Sequence, residues 1–272
     1  GTVDEFGFPI GYGKNNQAVL IPAFLSAYSG KNAENISLNA ITDNPLPNWS
    51  VNYSGLINID FFKERFKKFS LGHAYRSSYT LNNFKSNLEY NPSNTQLTDD
   101  SGNYINEFLY TNINLVEQFN PLLKIDMELN NSLQIVMSLK KDRALSLSLD
   151  NNLLTESNGT DYSIGLGYRI KDLKFTNRVG GKRRVSKGDL NIKTDLNFRD
   201  NITIIRNLNI EDNKVTAGQK MWSLKTSADY NLSKSFNAIF FYDHLFSKFA
   251  ISTAFPMTTI RAGMTLRYNF GE

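Results

Sequence analysis

The amino-acid sequence predicts an all-β protein, a transmembrane antiparallel β-barrel of which this chain forms the C-terminal arc of about 13–14 strands. Three observations lead to this fold class. Apolar and polar residues alternate after Trp49, long and short connections alternate between the predicted strands, and the last segment has the pattern of a terminal barrel strand. Because only every second residue of such a strand faces lipid, a mean hydropathy of −0.37 is compatible with a membrane location.

The composition excludes several classes of protein. No run of about 18 residues is apolar, so a transmembrane helix is not expected. The chain has no cysteine, which removes the usual zinc clusters and suits a protein that crosses an oxidising compartment unfolded. Its 30 basic and 26 acidic residues nearly balance, so we expect no nucleic-acid partner. No glycine-rich phosphate loop follows a strand, and we expect no cofactor.

The first 48 residues differ from the rest and are punctuated by glycine and proline. Within this segment, residues 1–48, the stretch Ala18–Tyr28 is either one further strand or a plug-like element in the lumen, and the sequence leaves both open. Gly1–Asp4 lacks the basic and apolar regions of a signal peptide. An exported chain would therefore have lost its signal by cleavage, or would be the later part of a longer polypeptide.

The segment 49–272 contains the predicted barrel strands. Thirteen are expected, at about 49–58, 70–84, 106–118, 122–130, 133–140, 144–150, 161–170, 173–179, 189–199, 201–210, 219–231, 236–246 and 258–270. The one stretch with helical spacing is Asp60–Phe69, where Phe62, Phe66 and Phe69 would share a face and Asp60 would cap the helix. This helix is expected to pack on the barrel rim or to lie on the membrane surface.

The predicted connections differ in length from one end of the strands to the other. The long ones are 84–106, 151–160, 179–188, 211–218 and 247–257, and the short ones are 141–143, 171–172, 199–201 and 232–235. Asn130–Asn131 is the exception, because it is short where a long loop is expected. Outer-membrane barrels combine short periplasmic turns with long external loops, so the pattern predicts a multi-pass outer-membrane protein with a periplasmic C-terminus.

Charged residues at alternating positions of the predicted strands are candidates for the lumen face. They are Lys193, Asp195, Asp229, Arg261 and Arg267. Charges of both signs facing inward indicate a wet interior, whereas a soluble barrel would turn these residues outward. A basic run in the predicted external loop, formed by Lys182, Arg183, Arg184 and Lys187, is a candidate contact for lipopolysaccharide phosphates or simply a solvated loop.

The last predicted strand carries a more specific pattern. Arg261, Gly263, Leu266, Tyr268 and Phe270 fit the order polar-x-Gly-x-x-Φ-x-Φ followed by a further aromatic residue, where Φ is hydrophobic. This order resembles the C-terminal signal by which the outer-membrane assembly machinery recognises the last strand of a barrel. An aromatic strand that happens to contain glycine could match it too.

Catalytic chemistry finds little support in the sequence. The two histidines, His73 and His244, fall on different predicted strands. The acidic pairs Asp4–Glu5, Asp99–Asp100 and Glu211–Asp212 lie in predicted loops without a basic or nucleophilic partner nearby. We therefore predict that the protein is not an enzyme.

Three stretches resemble the SprA/Sov family, the outer-membrane translocon of the type 9 secretion system. They are GTVDEFGFPIGYGKNNQAVLIPAFLSAYSG at 1–30, NPLPNWSVNYSGL at 44–56 and FSLGHAYRSSY at 69–79. The resemblance implies a passive pore that exports folded cargo with a C-terminal signal domain, including surface adhesins for gliding. It also implies partners: the remainder of the same large barrel, a smaller cargo-receiving outer-membrane barrel, a periplasmic plug protein, and surrounding lipid or lipopolysaccharide. It implies no catalytic residues.

Other functions remain open at this point. A self-contained porin or TonB-linked nutrient transporter would close into a barrel by itself. An antiparallel sheet of thirteen strands cannot do so, although one extra strand in Ala18–Tyr28 would remove that objection. A surface adhesin would bind through its long loops, and a membrane hydrolase is the remaining alternative.

Overall fold

The structure is a computed structural model that describes residues 3, 5, 7–32, 35–36, 47–179, 182–231, 236–251, 255–268 and 270, with the backbone alone for 175–179 and 182–186. Its main element is a nine-stranded antiparallel sheet. In spatial order the strands are β1 (Trp49–Tyr53), β2 (Phe66–Asn82), β5 (Asn112–Leu129), β6 (Leu133–Ser148), β7 (Leu153–Val179), β8 (Lys182–Asn207), β9 (Asp212–Asn231), β10 (Phe236–Phe249) and β11 (Met257–Tyr268). Two short strands, β3 (Lys85–Ser86) and β4 (Phe108–Leu109), pair separately. The prediction of an antiparallel all-β fold is confirmed.

The sheet is open among the described residues. β1 and β11 are its edges, and each pairs with one strand only in this part of the chain. Since every neighbouring pair is antiparallel and the number of strands is odd, β1 and β11 run in the same direction. A direct β1–β11 contact could therefore not continue the antiparallel pattern.

The predicted count of thirteen strands is wrong, because four of the observed strands each contain a predicted break. β6 runs through 141–143, β7 through 171–172 and β8 through 199–201. β5 spans 112–129 and passes the predicted gap at 119–121 with a register shift between Phe119 and Leu123. These strands are 16 to 27 residues long, well above the 9–11 that a tilted strand needs to cross a bilayer.

The predicted difference between long and short connections is smaller in the structure, because much of the predicted loops 151–160, 179–188 and 211–218 is strand. We call the end of the sheet where β11 stops at Tyr268 the proximal end, and the end where β11 starts at Met257 the distal end. The distal connections are 83–111, 149–152, 208–211 and 250–256, and the proximal ones are 54–65, 130–132, 180–181 and 232–235.

Two consequences follow for the predicted sidedness. The turn at 130–132 is at the proximal end with other short connections, so it is no longer an exception. β7 ends and β8 begins at the proximal end as well, so the basic run at the start of β8 lies at the opposite end from 250–256. The prediction that both belong to the same, external side is wrong.

The segment Ala18–Tyr28 is helical, and its interpretation as a strand is wrong. Helix α1 (Gln17–Ser29) begins at Asn16, whose side chain accepts a hydrogen bond from the Ala18 N–H at 2.8 Å. It ends at Gly30, which has a φ of +64°. Because this segment is a helix, it adds no strand to the sheet, and the number of strands in the described sheet remains odd.

Helix α1 packs on the distal half of the sheet. Its buried residues Ile21, Phe24 and Leu25 form a cluster with four strand residues, Ile113, Leu115, Leu145 and Leu147. The segment before the helix holds the 83–111 connection. The Tyr104 N–H donates to the Gly11 carbonyl at 2.8 Å, and the Tyr104 ring covers Gly11, whose φ of +85° favours glycine.

The predicted helix Asp60–Phe69 is only one turn long. Helix α2 (Asp60–Lys63) follows a 3-10 turn at Gly55–Asn58, and β2 begins at Phe66. Ile59 occupies the N-cap position, so the predicted capping role of Asp60 is wrong. The three phenylalanines still meet, with the Phe62 ring 5.9 Å from Phe66 and 4.7 Å from Phe69.

Candidate functional site

The two faces of the sheet differ in polarity. Residues directly opposite one another on neighbouring strands share a face. The register Ile164↔Leu196↔Leu224 therefore defines one face, which we call the apolar face. The register Asp195↔Lys225↔Asp243↔Arg261 defines the other, which we call the polar face.

The proximal half of the apolar face carries a band of large exposed hydrophobic side chains. Twelve of its members are 37–58% exposed: Tyr162, Ile164, Leu166, Tyr168, Leu196, Phe198, Phe240, Tyr242, Ile260, Met264, Leu266 and Tyr268. Trp49, Val51 and Tyr53 continue the band on β1. We call this surface the apolar band. Contiguous exposed apolar surface of this extent is unusual for a soluble monomer and marks contact with another apolar phase or protein.

Aromatic residues border the apolar band on both sides. At its distal border Tyr162, Phe198, Trp222 and Phe246 lie in one cross-strand row. The Tyr162 and Phe198 rings are 6.2 Å apart, and the Trp222 and Phe246 rings are 6.1 Å apart. Near the proximal border lie Tyr168, Tyr230, Phe236 and Tyr268.

The height of the band follows from the strand geometry. Phe236 and Phe246 lie at its two borders on β10. The ten residue steps between them span about 33 Å of strand at about 3.3 Å per residue. With the usual tilt of about 40° this gives a height of about 25 Å, the value typical of the lipid-facing band of outer-membrane barrels.

A charged row ends the apolar band at its distal border. One step beyond the aromatic row, Lys141, Thr160, Asp200, Lys220 and Lys248 lie opposite one another on five consecutive strands. The Lys220 Nζ is 3.2 Å from an Asp200 carboxylate oxygen. The predicted turns 141–143 and 199–201 coincide with this row, because the alternation of apolar residues stops there although the strands continue.

The five predicted lumen-facing residues all lie on the polar face. Lys193 and Asp195 are on β8, Asp229 is on β9, and Arg261 and Arg267 are on β11. Arg261 forms an ion pair with Asp243 at 3.1 Å. One Asp229 carboxylate oxygen is buried and has no hydrogen-bond partner in the described residues. That this face lines a lumen stays a prediction.

Four residues of the predicted assembly signal, Arg261, Gly263, Leu266 and Tyr268, lie on the edge strand β11, and Phe270 lies two residues beyond its end. Leu266 and Tyr268 are on the apolar face, while Arg261 and Gly263 are on the polar face. A side chain at Gly263 would meet the Phe241 ring at 2.7 Å, so the ring needs glycine beneath it. Phe270 is 95% exposed, and its ring contacts that of Tyr268 at 4.7 Å. Tyr268 is 55% exposed, and its ring also lies 6.3 Å from that of Phe236 on β10.

The residues of the basic run are strand residues and not loop residues. Lys182, Arg183, Arg184 and Lys187 belong to β8, and their backbones pair with β7. Lys187 is exposed, and the side chains of the other three are outside the described part of the chain. Sequence reasoning missed the strand because Gly180–Gly181 and the charges around it resemble a loop.

An ion cluster lies on the apolar face beyond the charged row. The Arg206 guanidinium donates to Glu156 at 2.8 Å, and Arg143 Nε is 3.3 Å from the same carboxylate. The hydrogen bond from Arg206 holds the pKa of Glu156 below its ordinary value of 4.5, with smaller contributions from Asn158 and Arg143. The Glu156 side chain is only 13% exposed, whereas Arg143 and Arg206 are 40% and 36% exposed, so solvent screens the carboxylate less than the two guanidinium groups.

We predict that Glu156→Gln destabilises the protein by about 1–3 kcal/mol at pH 7, because two guanidinium groups lose their charged partner. Since the pKa of Glu156 is lowered by folding, its contribution is complete above pH 4.5 and is lost as the pH falls through the folded-state pKa. The loss of stability between pH 7 and pH 3, measured by urea unfolding, should therefore be smaller in the variant. Asp200→Asn, which removes an exposed ion pair, should cost at most about 1 kcal/mol. Equal costs for the two variants would contradict this assignment.

The two histidines have structural partners. His73 Nδ1 is 2.6 Å from the Leu122 carbonyl oxygen, and His244 packs against Trp222 with their rings 4.5 Å apart. The described residues contain no group of three or more metal-ligating side chains. None of the described helices is long and apolar enough to cross a membrane. The prediction that the protein is not an enzyme stays untested.

The chain was also compared with known proteins. No model of a known protein family matches it, and a search of curated proteins found no match.

Proposed function

We propose that this chain is an arc of an outer-membrane protein-conducting channel that exports folded cargo, as in the type 9 secretion system with its gliding adhesins. The observation that carries the membrane part of the proposal is the apolar band. It is about 25 Å high, is bordered by aromatic rows and ends in a charged row, as expected for a surface in contact with lipid. The polar face would then line the lumen.

The open edges support the view that the chain is only part of a barrel. Among the described residues β1 and β11 each pair along one side only, and they run in the same direction. Further strands, odd in number, would have to join them to complete an antiparallel barrel. Each strand adds to the barrel diameter, so a sheet of nine strands with a missing part leads to a wide lumen.

The identity of the transported substrate rests on the resemblance to the SprA/Sov family in residues 1–30, 44–56 and 69–79. In that reading the partners are the remainder of the barrel, a smaller cargo-receiving barrel, a periplasmic plug protein and cargo with a C-terminal signal domain. The mixed charges of the polar face suit a water-filled passage.

The proposal of an incomplete barrel predicts the behaviour of the isolated chain. Residues 1–272 expressed alone and refolded in detergent should not give the heat-modifiable band that closed barrels show on electrophoresis. The parent protein, treated in the same way, is the control and should give it. A heat-modifiable, protease-resistant barrel from 1–272 alone would favour a self-contained porin or nutrient transporter.

Cells that lack the parent gene test the transport function. We expect cargo with a C-terminal signal domain to accumulate in the periplasm and to disappear from the surface, and the intact gene should restore export. If export continues while the uptake of a nutrient is lost, the protein is a transporter and the proposal is wrong.

A further inference from the structure

The longest strand pair, β7 and β8, extends beyond its neighbours at the proximal end. Tyr168 of β7 is paired with Leu133, the first residue of β6, and Leu190 of β8 is paired with Tyr230 near the end of β9. Beyond these positions β7 and β8 pair only with each other among the described residues. We call this two-stranded extension, residues 171–179 and 182–189, the basic ribbon.

Three contacts fix the base of the basic ribbon. Asp189 accepts hydrogen bonds from the Arg169 guanidinium and, at 3.1 Å, from the Asp172 N–H. The Tyr230 hydroxyl donates to the Leu173 carbonyl oxygen at 3.1 Å. At Gly188 a side chain would collide with the Asn231 carbonyl oxygen. A register shift between Ile170 and Leu173 lies at the same place, and such bulges redirect a strand pair.

The basic ribbon is strongly charged. It contains seven basic and two acidic residues, a net charge of +5, whereas the whole chain has +4. Among the residues with described side chains, Lys171, Lys174 and Lys187 are exposed. The positive charge of the chain is therefore concentrated at one end of one strand pair.

The register of the basic ribbon places like charges opposite each other. Lys174 is paired with Lys187, and Arg178 is paired with Arg183. Like charges directly opposite on two strands destabilise the pairing. The two pairs are four residues apart, about 13 Å along the strand, and both fall on one face of the ribbon. An anionic ligand that bridges them would remove the repulsion.

The face that carries these pairs distinguishes between two kinds of anion. Lys187 lies on the same face of β8 as Asp189, Asn191 and Lys193, because these residues are spaced two apart. The like-charge pairs therefore continue the polar face. The apolar band is on the opposite face. If that band contacts lipid, the pairs lie on the face of the sheet that is turned away from the membrane, and an anionic lipid headgroup is a poor candidate.

From this arrangement we infer that the basic ribbon binds an acidic polypeptide segment on the polar-face side of the proximal end. Two cation pairs spaced along an extended ribbon suit carboxylates repeated along an extended chain. The inference goes beyond the proposed function, since binding does not require that the channel conducts protein.

A single substitution separates binding from stability. Lys174→Glu places an acidic residue opposite Lys187, so the strand pairing should be at least as stable while the cation pair is lost. The matched control is Lys248→Glu at the distal end, because Lys248 also lies opposite a lysine, Lys220. Both variants change the net charge equally.

The experiment uses the parent protein purified in detergent and fluorescein-labelled poly-L-glutamate, with poly-L-glutamine as the neutral probe. We expect poly-L-glutamate alone to bind, Lys174→Glu to weaken it by about tenfold or more, and Lys248→Glu to change it by less than about twofold at low salt. If Lys174→Glu does not assemble, the double substitution Lys174→Gln, Lys187→Gln replaces it.

Several outcomes would overturn the inference. The first is that poly-L-glutamate does not bind. The second is that the Lys174→Glu and Lys248→Glu proteins lose affinity for poly-L-glutamate equally. The third is that phosphatidylglycerol vesicles bind through Lys174 in place of the peptide. The export assay is read separately. Loss of export with intact poly-L-glutamate binding contradicts the proposed function and not this inference.

Discussion

Leu196→Arg is expected to destabilise the membrane-inserted protein by about 2–4 kcal/mol, because it places a charge near the middle of the apolar band. Leu196 is 44% exposed in the sheet, so the cost comes from its surroundings and not from a crowded protein core. The measurement is the urea midpoint of unfolding from phospholipid vesicles, followed by tryptophan fluorescence, to which Trp49 and Trp222 both contribute.

The control is the next residue along the same strand. Asn197 lies on the polar face, opposite Ser223, so Asn197→Arg should cost less than about 1 kcal/mol. A soluble sheet would give a different result, since water solvates an arginine at either position. Similar costs for Leu196→Arg and Asn197→Arg would mean that the apolar band does not contact lipid.

Replacing Tyr268 and Phe270 by alanine is expected to lower the amount of protein assembled in the outer membrane by about tenfold, the effect of losing about 1.4 kcal/mol of recognition. Both rings are more than half exposed, at 55% and 95%, so their loss costs the fold little. The measurement is the heat-modifiable fraction in outer-membrane preparations. Deleting Gly263–Phe270 should abolish assembly, because it also removes half of the edge strand.

Two aromatic residues on the preceding strand provide the matched control. Phe240 and Tyr242 lie on the same apolar face of β10 and are also exposed, at 51% and 37%. Their replacement by alanine should leave assembly largely intact, because they do not belong to the signal. If both double variants lose assembly equally, the effect is a general loss of aromatic surface and the assignment of a signal is wrong.

The alternation of apolar and polar residues was readable from the sequence. It placed Lys193, Asp195, Asp229, Arg261 and Arg267 at positions that the register brings to one face. This works because side chains of a strand point to opposite faces with a period of two, whatever the strand pairs with. The same local rule explains why β11 was predicted within one or two residues of its observed bounds.

Strand ends were harder to predict, since they depend on pairing with neighbours. At Lys141 and Asp200 the alternation of apolar residues stops, and this was interpreted as a turn. The ladders continue through both positions, with a charged row on the face that was apolar before. The alternation of apolar residues stops both where a strand ends and where a strand enters a different environment, so the sequence alone does not distinguish the two cases.

Helix α1 shows a second limit. QAVLIPAFLSAYS is apolar almost throughout and contains Pro22, so neither helical nor strand periodicity is evident. The segment is a helix because its apolar residues are buried against Ile113, Leu115, Leu145 and Leu147 on the distal half of the apolar face. Those four residues come from strands about a hundred residues away in sequence, and no local pattern identifies them.

The sequence by itself determined that this protein is built from antiparallel strands with one apolar and one polar face. Only the tertiary structure decided how long the strands are, that nine of them form the main sheet of the described residues, where the apolar band ends and that the basic run extends from the proximal end as a paired ribbon. The physical reason is that successive side chains within one strand point to opposite faces of the sheet. Register, strand ends and edges are set by hydrogen bonds between strands, which residues distant in sequence provide.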